Sequence, residues 1–157
     1  MAKKILYYLN QFFGQIGGED QAHLGPEFKE GGIGPAAAFD KEMGDDAEVI
    51  GTLICGDNFF NENVEQVEQK MQELYDTHKP DLVVAGPAFN AGRYGMACAG
   101  VAKFFNDLDV PVVTGMYEEN PGLETAKGAA YTVQTSNSAA DMRKTLPLMA
   151  GVAKKIL

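Results

Sequence analysis

The stretch Val64-Glu-Gln-Val-Glu-Gln-Lys-Met-Gln-Glu-Leu-Tyr-Asp-Thr-His-Lys-Pro-Asp-Leu-Val-Val-Ala85 decides the fold, because a helical period passes directly into a buried strand. Its first half has apolar side chains at the spacing of one helical face: Val64, Val67, Met71, Leu74 and Tyr75. Lys79-Pro80 ends this helix, because the residue before a proline avoids helical backbone. Residues 81–85 are the predicted strand, and after Asp81 they are apolar in succession, as in a parallel sheet covered on both faces. The stretch therefore predicts one helix–strand unit of an α/β protein.

The same alternation recurs along the chain. Apolar runs of strand length lie at 4–9, 47–55, 110–114 and 130–135, and further helices are expected at 36–43, 94–108 and from Ser138 onward. Repeated units with short connections give right-handed crossovers and helices on both faces of the sheet. We therefore expect residues 1–157 to form one α/β domain, a three-layer doubly wound sheet of about five mainly parallel strands, flavodoxin-like or Rossmann-like. The expected strand order is 2-1-3-4-5.

Local signals mark the ends of several elements. Pro35 suits a first helical turn, and Gly44 suits the end of the same helix. Ser138-Ala-Ala-Asp141 has the form of a capping box opening the last helix, which Pro147 is expected to kink or restart. The glycine-rich residues 14–34 are long for a connection, and such long loops are usually functional or mobile.

Composition excludes several classes of function. Thirteen Lys and Arg against 22 Asp and Glu give a net charge of −9 without a basic patch, which disfavours nucleic-acid binding. No apolar run approaches the ~20 residues of a membrane span, and two cysteines are too few for a disulfide framework. The phosphate-binding patterns Gly-x-x-x-x-Gly-Lys-Ser/Thr and, after the first strand, Gly-x-Gly-x-x-Gly do not occur. No metal site is expected. We expect a cytoplasmic protein that binds neither nucleic acid nor membranes.

Polar residues follow the ends of the predicted strands. Because ligands of open α/β sheets bind beyond the carboxyl ends of the strands, these residues predict a pocket for a small polar molecule. The candidate binding residues are Asn10, Asn58, Asn90, Arg93, Tyr94, Tyr117, Glu118 and Glu119. Asparagine also caps helices and forms turns for local reasons, and that role is favoured for Asn61, Asn120 and Asn137.

Arg93 is the single cation among these residues, and its planar guanidinium suits a carboxylate or phosphate. The alternative is a structural ion pair with Glu118, Glu119 or Asp57. One of the two adjacent glutamates could face the pocket as a base or as the partner of an ammonium group. Loop glutamates are more often solvated.

Cys55 lies at the end of a predicted strand and faces the same edge. It is a candidate redox thiol, but without a neighbouring base a buried structural thiol is favoured. Cys98 has no partner pattern and suits a buried position as well.

Five segments at this edge resemble the large, selenocysteine-containing subunit of component B of glycine/sarcosine/betaine reductase. They are Asn10-Gln-Phe-Phe-Gly-Gln-Ile-Gly-Gly-Glu19, Ile54-Cys-Gly-Asp-Asn-Phe-Phe-Asn-Glu-Asn63, Ala85-Gly-Pro-Ala-Phe-Asn-Ala-Gly-Arg-Tyr-Gly95, Thr114-Gly-Met-Tyr-Glu-Glu-Asn-Pro-Gly122 and Thr135-Ser-Asn-Ser-Ala-Ala-Asp-Met-Arg143. The resemblance spans nearly the whole chain, and five motifs in order make it specific.

The resemblance implies an anaerobic amino-acid reductase that cleaves the C–N bond of glycine, sarcosine or betaine. In the family, a selenocysteine displaces the amine, and the carboxymethyl group passes to selenoprotein A on the way to acetyl phosphate. A pyruvoyl group on a partner subunit is implied for activation of the amine in the glycine system. The implied partners of this chain are the other component B subunits and selenoprotein A, and a homo-oligomer is left open.

The chain departs from the family in one respect. The selenocysteine followed by two spaced cysteines has no counterpart, since Cys55 and Cys98 are isolated. The sequence thus resembles the N-terminal part of a longer subunit, as a truncated or a short form, and the isolated chain is expected to be inactive. A substrate-recognition domain is one interpretation. The alternatives are a non-catalytic assembly domain and a free-standing binding protein for another small carboxylate.

Overall fold

All five apolar runs form strands of one sheet. The computed structural model, which describes residues 2–157, adds a sixth strand to them. The strands are β1 (Lys3–Asn10), β2 (Glu27–Glu30), β3 (Ala47–Cys55), β4 (Leu82–Phe89), β5 (Val112–Tyr117) and β6 (Tyr131–Thr135). Their order across the sheet is β2-β3-β1-β4-β5-β6. Without β2 this is the predicted order 2-1-3-4-5, which is confirmed.

Six α-helices connect or follow the strands. They are α1 (Pro35–Met43), α2 (Asp57–Glu62), α3 (Val64–His78), α4 (Gly92–Asp107), α5 (Pro121–Ala126) and α6 (Met142–Ile156). Short 3-10 helices span Glu19–Gln21 and Ala139–Asp141. The four longer helices lie where the sequence predicts them, whereas α2 and α5 were not predicted. No helix among residues 2–157 is long and apolar enough to cross a membrane.

The helices cover the sheet on both faces, which confirms the predicted three-layer α/β architecture. The two faces of β1 show how the layers divide, since Ile5, Tyr7 and Leu9 pack towards α1 and α6. Leu6 and Tyr8 point the other way, into the larger core formed with α2, α3, α4 and α5. The side chains of the strand therefore alternate between two cores.

Strand β2 is a correction to the prediction of about five strands. It lies within the glycine-rich connection and pairs antiparallel with β3 at the edge of the sheet. Its sequence Glu27-Phe-Lys-Glu30 is mostly exposed and has one apolar residue, Phe28. The ring of Phe28 lies over Gly51, where a Cβ would overlap it, and stacks on His78 at 5.1 Å between centroids. One aromatic contact in a charged strand leaves no periodic pattern to read in the sequence.

The last helix begins as expected but continues past its proline. The Ser138 hydroxyl accepts a hydrogen bond from the N–H of Ala140 at 3.1 Å, which caps the 3-10 turn leading into α6. Helix α6 then runs through Pro147 as one element. Of the two predicted alternatives, the restart at this proline is therefore wrong, and the kink stays a prediction.

Helices α4 and α5 are held together by two glycines. A Cβ at Gly122 would overlap the backbone carbonyl of Gly95, and a Cβ at Gly95 would overlap the side chain of Asn120. The two helices therefore approach each other backbone to backbone, two residues beyond Arg93.

Replacing Gly122 with alanine tests this contact. We expect Gly122→Ala to lower the free energy of unfolding by about 1–3 kcal/mol, because the new methyl group forces α5 away from α4. The matched control is Gly151→Ala on the exposed face of α6, where a Cβ meets nothing. The free energy of unfolding of this control should rise by up to about 1 kcal/mol, because alanine has a higher helix propensity than glycine. Urea unfolding measures both, and equal stability of the two variants would contradict the close contact.

Candidate functional site

The carboxyl ends of β1, β3, β4, β5 and β6 lie along one edge of the sheet, because these strands are parallel. At this carboxyl edge the structure joins residues that follow β1, β3 and β4. We call Asn10, Asp57, Asn58, Asn61 and Arg93 the Asp57–Arg93 site. Asn10 ends β1, the next three residues belong to α2, and Arg93 lies in the first turn of α4.

Asn10 holds the carboxylate of Asp57 at the end of the central strand. Its Nδ2 donates a hydrogen bond to Asp57 Oδ2 at 3.0 Å, and its Oδ1 accepts one from the N–H of Phe13 at 2.9 Å. Both hydrogen-bonding groups of the Asn10 amide are therefore engaged, and the amide orientation is fixed by its partners. This fixes the position of one carboxylate oxygen of Asp57.

Arg93 is held by two asparagines of α2. Its Nη1 donates to Asn58 Oδ1 at 2.6 Å, and Asn61 Nδ2 donates to the backbone carbonyls of Asp57 and Arg93 at 2.8 and 3.1 Å. The Asn61 amide thus bridges the two helices. Arg93 Nη1 also lies 3.8 Å from Glu19 Oε2 in a loose ion pair. The partners considered from the sequence were Glu118, Glu119 and Asp57, and within residues 2–157 Arg93 pairs with none of these three.

Residues 11–24, the covering segment, close the start of α2. The Leu24 carbonyl accepts from the N–H of Gly56 at 2.9 Å, and the Ala22 carbonyl accepts from those of Asn58 and Phe59 at 2.8 and 3.0 Å. Gln11 Oε1 accepts from the N–H of Asp57 at 3.1 Å. Since the chain itself uses these donors, they are not free for a phosphate, in keeping with the missing phosphate-loop motifs.

Asp57 is buried although it carries a carboxylate. Asp57 is only 8% exposed, and its Oδ1 has no hydrogen-bond partner within residues 2–157. Burial raises the pKa of Asp57 from 3.8 to about 6, opposed by the hydrogen bond from Asn10, raised further by Glu19 and lowered by Arg93. A carboxylate with one oxygen held and the other desolvated and unbonded is an unusual feature for a structural role.

Three hydroxyl groups beneath this edge also lack partners in the described part of the chain: those of Tyr8, Tyr94 and Thr114. Tyr94, predicted to contact a ligand, is fully buried, and its ring stacks on Phe13 with centroids 5.8 Å apart. Burial raises the pKa of the Tyr94 phenol well above its usual value, so it stays protonated. In this structure Tyr94 is part of the core, below the site.

The remaining candidates lie elsewhere along the edge. Asn90 is exposed just after β4. Glu118 lines a separate hollow of about 200 Å³ with residues of β5, α5 and β6. Glu119 is exposed and raises the pKa of the neighbouring Tyr117 phenol. Within residues 2–157 neither glutamate forms a hydrogen bond or ion pair with Arg93, so the structure does not join these residues to the Asp57–Arg93 site.

Asn120 confirms the capping role expected for it. Its Oδ1 accepts from the N–H of Gly122 at 2.9 Å at the start of α5. Its Nδ2 donates to the carbonyls of Phe89 and Ala91 at 2.9 and 3.1 Å. One buried amide thus ties the end of β5 to the end of β4.

Both cysteines are buried and reduced. The Cys55 Sγ lies 3.7 Å from the Leu24 carbonyl, and burial raises the pKa of its thiol to about 12. Burial also raises the pKa of Cys98 well above its usual value. A protonated thiol is a poor nucleophile, so this geometry favours the structural role of Cys55 over the redox role. In the part of the chain that the structure describes, no three His, Cys, Asp or Glu side chains are grouped as a metal site requires.

Sequence reasoning missed Asp57 as a binding candidate, although it named Asp57 as a partner for Arg93. The sequence feature that could have identified Asp57 is its position, two residues beyond the end of β3 and directly before Asn58. What could not be read was its burial, which depends on how the covering segment lies over α2.

The fold and this site define a class: a flavodoxin-type doubly wound α/β domain with a polar site at the carboxyl edge of its sheet. Residues 2–157 match the family model described as glycine/sarcosine/betaine reductase selenoprotein B, and the chain belongs to this family. The resemblance of the five segments is thereby confirmed. No solved structure matches the chain.

Curated relatives include subunits of glycine, sarcosine and betaine reductase complexes. The chain is 51% identical over 154 residues to the glycine reductase complex component B subunit gamma of Symbiobacterium thermophilum, covering 98% of this chain and 36% of the relative. The sarcosine reductase complex component B subunit beta of Peptoclostridium acidaminophilum is 45% identical, with 97% and 35% covered. The betaine reductase complex component B subunit beta of the same organism is 42% identical, with 99% and 36% covered. The chain thus spans about a third of the length of these relatives.

The burial of Asp57 predicts a pH-dependent stability. Because its pKa is higher in the folded chain than in the unfolded chain, its contribution to the free energy of unfolding is present below about pH 4 and lost as the pH rises to about 6. Asp57→Asn removes this loss and should raise stability at neutral pH by about 2 kcal/mol. Urea unfolding between about pH 4 and pH 7 measures the effect.

The exposed Asp107 provides the control, since Asp107→Asn should leave the pH dependence of the wild-type chain unchanged. An Asp57→Asn variant that parallels the wild-type chain over the whole pH range would show that Asp57 is not desolvated.

Thiol alkylation tests the role of Cys55. With both thiols buried and their pKa values raised, iodoacetamide should add no group to the folded chain near neutral pH. The urea-unfolded chain should gain two adducts, as counted by mass spectrometry. Rapid labelling of Cys55 in the folded chain would instead favour the redox role.

Proposed function

We propose that this chain is the substrate-recognition domain of a component B subunit in a glycine, sarcosine or betaine reductase. In this proposal the carboxyl edge holds the substrate while C–N cleavage takes place with groups outside the chain. The names of the relatives supply the three substrates, and each of these substrates is a carboxylate joined through one methylene to a nitrogen.

The state of Arg93 is the observation that carries the proposal. Its side chain is 63% exposed, yet the 2.6 Å hydrogen bond to Asn58 fixes its position at the site. A guanidinium with free N–H groups in a fixed position is suited to bind a carboxylate through two parallel hydrogen bonds.

Glu19 supports the same assignment. Its carboxylate is 84% exposed and lies 3.8 Å from Arg93, beyond hydrogen-bond distance. An exposed ion pair of this kind contributes little to stability, so a substrate carboxylate can replace Glu19 at low cost. Glu19 then marks where the substrate carboxylate would lie.

The reacting groups that the family resemblance implies are a selenocysteine and a pyruvoyl group on a partner subunit. No residue of this chain fits the first, because the sequence lacks the selenocysteine motif and the thiols of Cys55 and Cys98 are buried and protonated at neutral pH. We therefore propose that the chain positions the substrate and takes no part in bond cleavage by itself. Its proposed partners are the other component B subunits and selenoprotein A.

Strand β6 favours a second function, docking of partner subunits. It is the last strand of the sheet, and its residues Tyr131–Thr135 carry no charge. Tyr131 is 55% exposed, and exposed uncharged edge strands are sites at which another chain can pair. A chain that binds no amino acid but is protected from hydrogen exchange at β6 within the reductase complex would support this alternative.

Removing the guanidinium tests the carboxylate assignment. The wild-type chain is expected to bind at least one of glycine, sarcosine and betaine, and Arg93→Gln should weaken this binding about tenfold or more, because a charged hydrogen-bonded pair is lost. Isothermal titration calorimetry measures the affinities.

The chain offers a matched control in its other arginine, Arg143, which lies in the first turn of α6 beside α1. Arg143→Gln should bind like the wild-type chain. Unchanged affinity of Arg93→Gln for every ligand that the wild-type chain binds would overturn the assignment.

A further inference from the structure

We infer that Asp57 and Arg93 together form a clamp for an amino acid, with Asp57 accepting the N–H groups of the substrate, so that the chain favours glycine or sarcosine over betaine. This inference rests on the proposed function and adds the part that selects the substrate. It assigns the nitrogen to Asp57, where the sequence had suggested Glu118 or Glu119.

The first support is that two opposite charges lie at one site without pairing, although Arg93 is near enough to lower the pKa of Asp57. Asp57 is held by Asn10, and Arg93 is held by Asn58. Asn61 donates to the backbone carbonyls of both residues, which keeps the start of α2 against the start of α4. Across residues 2–157 the two side chains nevertheless form no direct ion pair. A zwitterionic ligand has the complementary charges in one molecule.

The second support is the unbonded oxygen of Asp57. Oδ1 is shielded from solvent and has no partner in the described chain, whereas Oδ2 already accepts from Asn10. A buried acceptor without a hydrogen bond is costly, and a ligand N–H that reaches it removes this cost. The favourable ligand at this position is a charged N–H donor.

The three substrates differ in that property. The ammonium group of glycine has three N–H donors and that of sarcosine has two, whereas the trimethylammonium group of betaine has none. A site built around a hydrogen-bonding group discriminates against an analogue that lacks the matching group, because the site is then left unpaired. The alternative for a trimethylammonium group is the face of an aromatic ring. The nearby rings of Phe13 and Tyr94 are stacked on each other, so each has one face already covered.

Access to Oδ1 requires the covering segment to shift. Glu19, the first residue of a 3-10 turn in this segment, is also the residue that a substrate carboxylate would displace from Arg93. Exchange of one carboxylate for another at Arg93 therefore removes this ion-pair contact of the segment with α4, while its hydrogen bonds to the start of α2 remain. The ligand would enter carboxylate first and place its nitrogen towards Asp57.

The test is calorimetric titration of the chain with glycine, sarcosine, betaine and acetate near neutral pH, acetate being the carboxylate without a nitrogen. Glycine and sarcosine should bind about tenfold or more tightly than betaine and acetate. Asp57→Asn should weaken glycine and sarcosine about tenfold or more and leave betaine and acetate within about twofold of their wild-type affinities. Asp107→Asn should change none of the four.

The outcomes separate this inference from the proposed function. Equal wild-type affinity for glycine and betaine, or an Asp57→Asn variant that loses betaine as fully as glycine, would overturn the role of Asp57 while the effect of Arg93→Gln stands. Absence of binding by all three substrates would overturn the proposed function and this inference with it. The Asp57→Asn variant is expected to be more stable than the wild-type chain at neutral pH. Urea unfolding of this variant therefore shows whether a loss of affinity occurs in a folded chain.

Discussion

A strand that is covered on both faces excludes charged and amide side chains from its buried length, and this constraint determines where the chemistry of the molecule lies. Strand β1 is buried from Ile5 to Leu9, and its side chains alternate between two cores. After this buried length, the first amide side chain comes at Asn10, where the strand leaves the sheet. The same holds for β3, where Cys55 is followed within two residues by Asp57. The parallel arrangement then places these ends side by side.

This constraint explains how much of the fold could be read from the sequence. Buried parallel strands are continuous apolar runs and long amphipathic helices have a clear period, so the five parallel strands and the four longer helices followed from the pattern. The strand order was expected from the common order of doubly wound sheets, because apolar runs do not show which strands are neighbours. Strand β2 could not be read, because an exposed edge strand needs no apolar face. Helices α2 and α5 span six residues each, too few for a period to be visible.

The site was predicted in part, and the physical reasons differ from residue to residue. Asn10, Asn58 and Arg93 do lie together, because they follow strands that are adjacent in the sheet. Tyr94 was expected to face a ligand, but it lies one position after Arg93 on α4 and points into the core instead. The importance of Asp57 depends on desolvation, which arises only when residues distant in sequence close over it. Asn120 was predicted to cap a helix or form a turn. Its hydrogen bonds to the carbonyls of Phe89 and Ala91 join segments distant in sequence, so no local pattern indicates them.

The contact of Gly95 with Gly122 has a further consequence for the two sides of the site. On the side of Arg93, backbone meets backbone, and no side chain can change its rotamer to widen the gap. On the opposite side, residues 11–24 are attached to α2 mainly by hydrogen bonds between main chains. The Asp57–Arg93 site therefore has a close backbone contact on one side and a hydrogen-bonded loop on the other, so we expect adjustment to ligands of different bulk to come from the glycine-rich side.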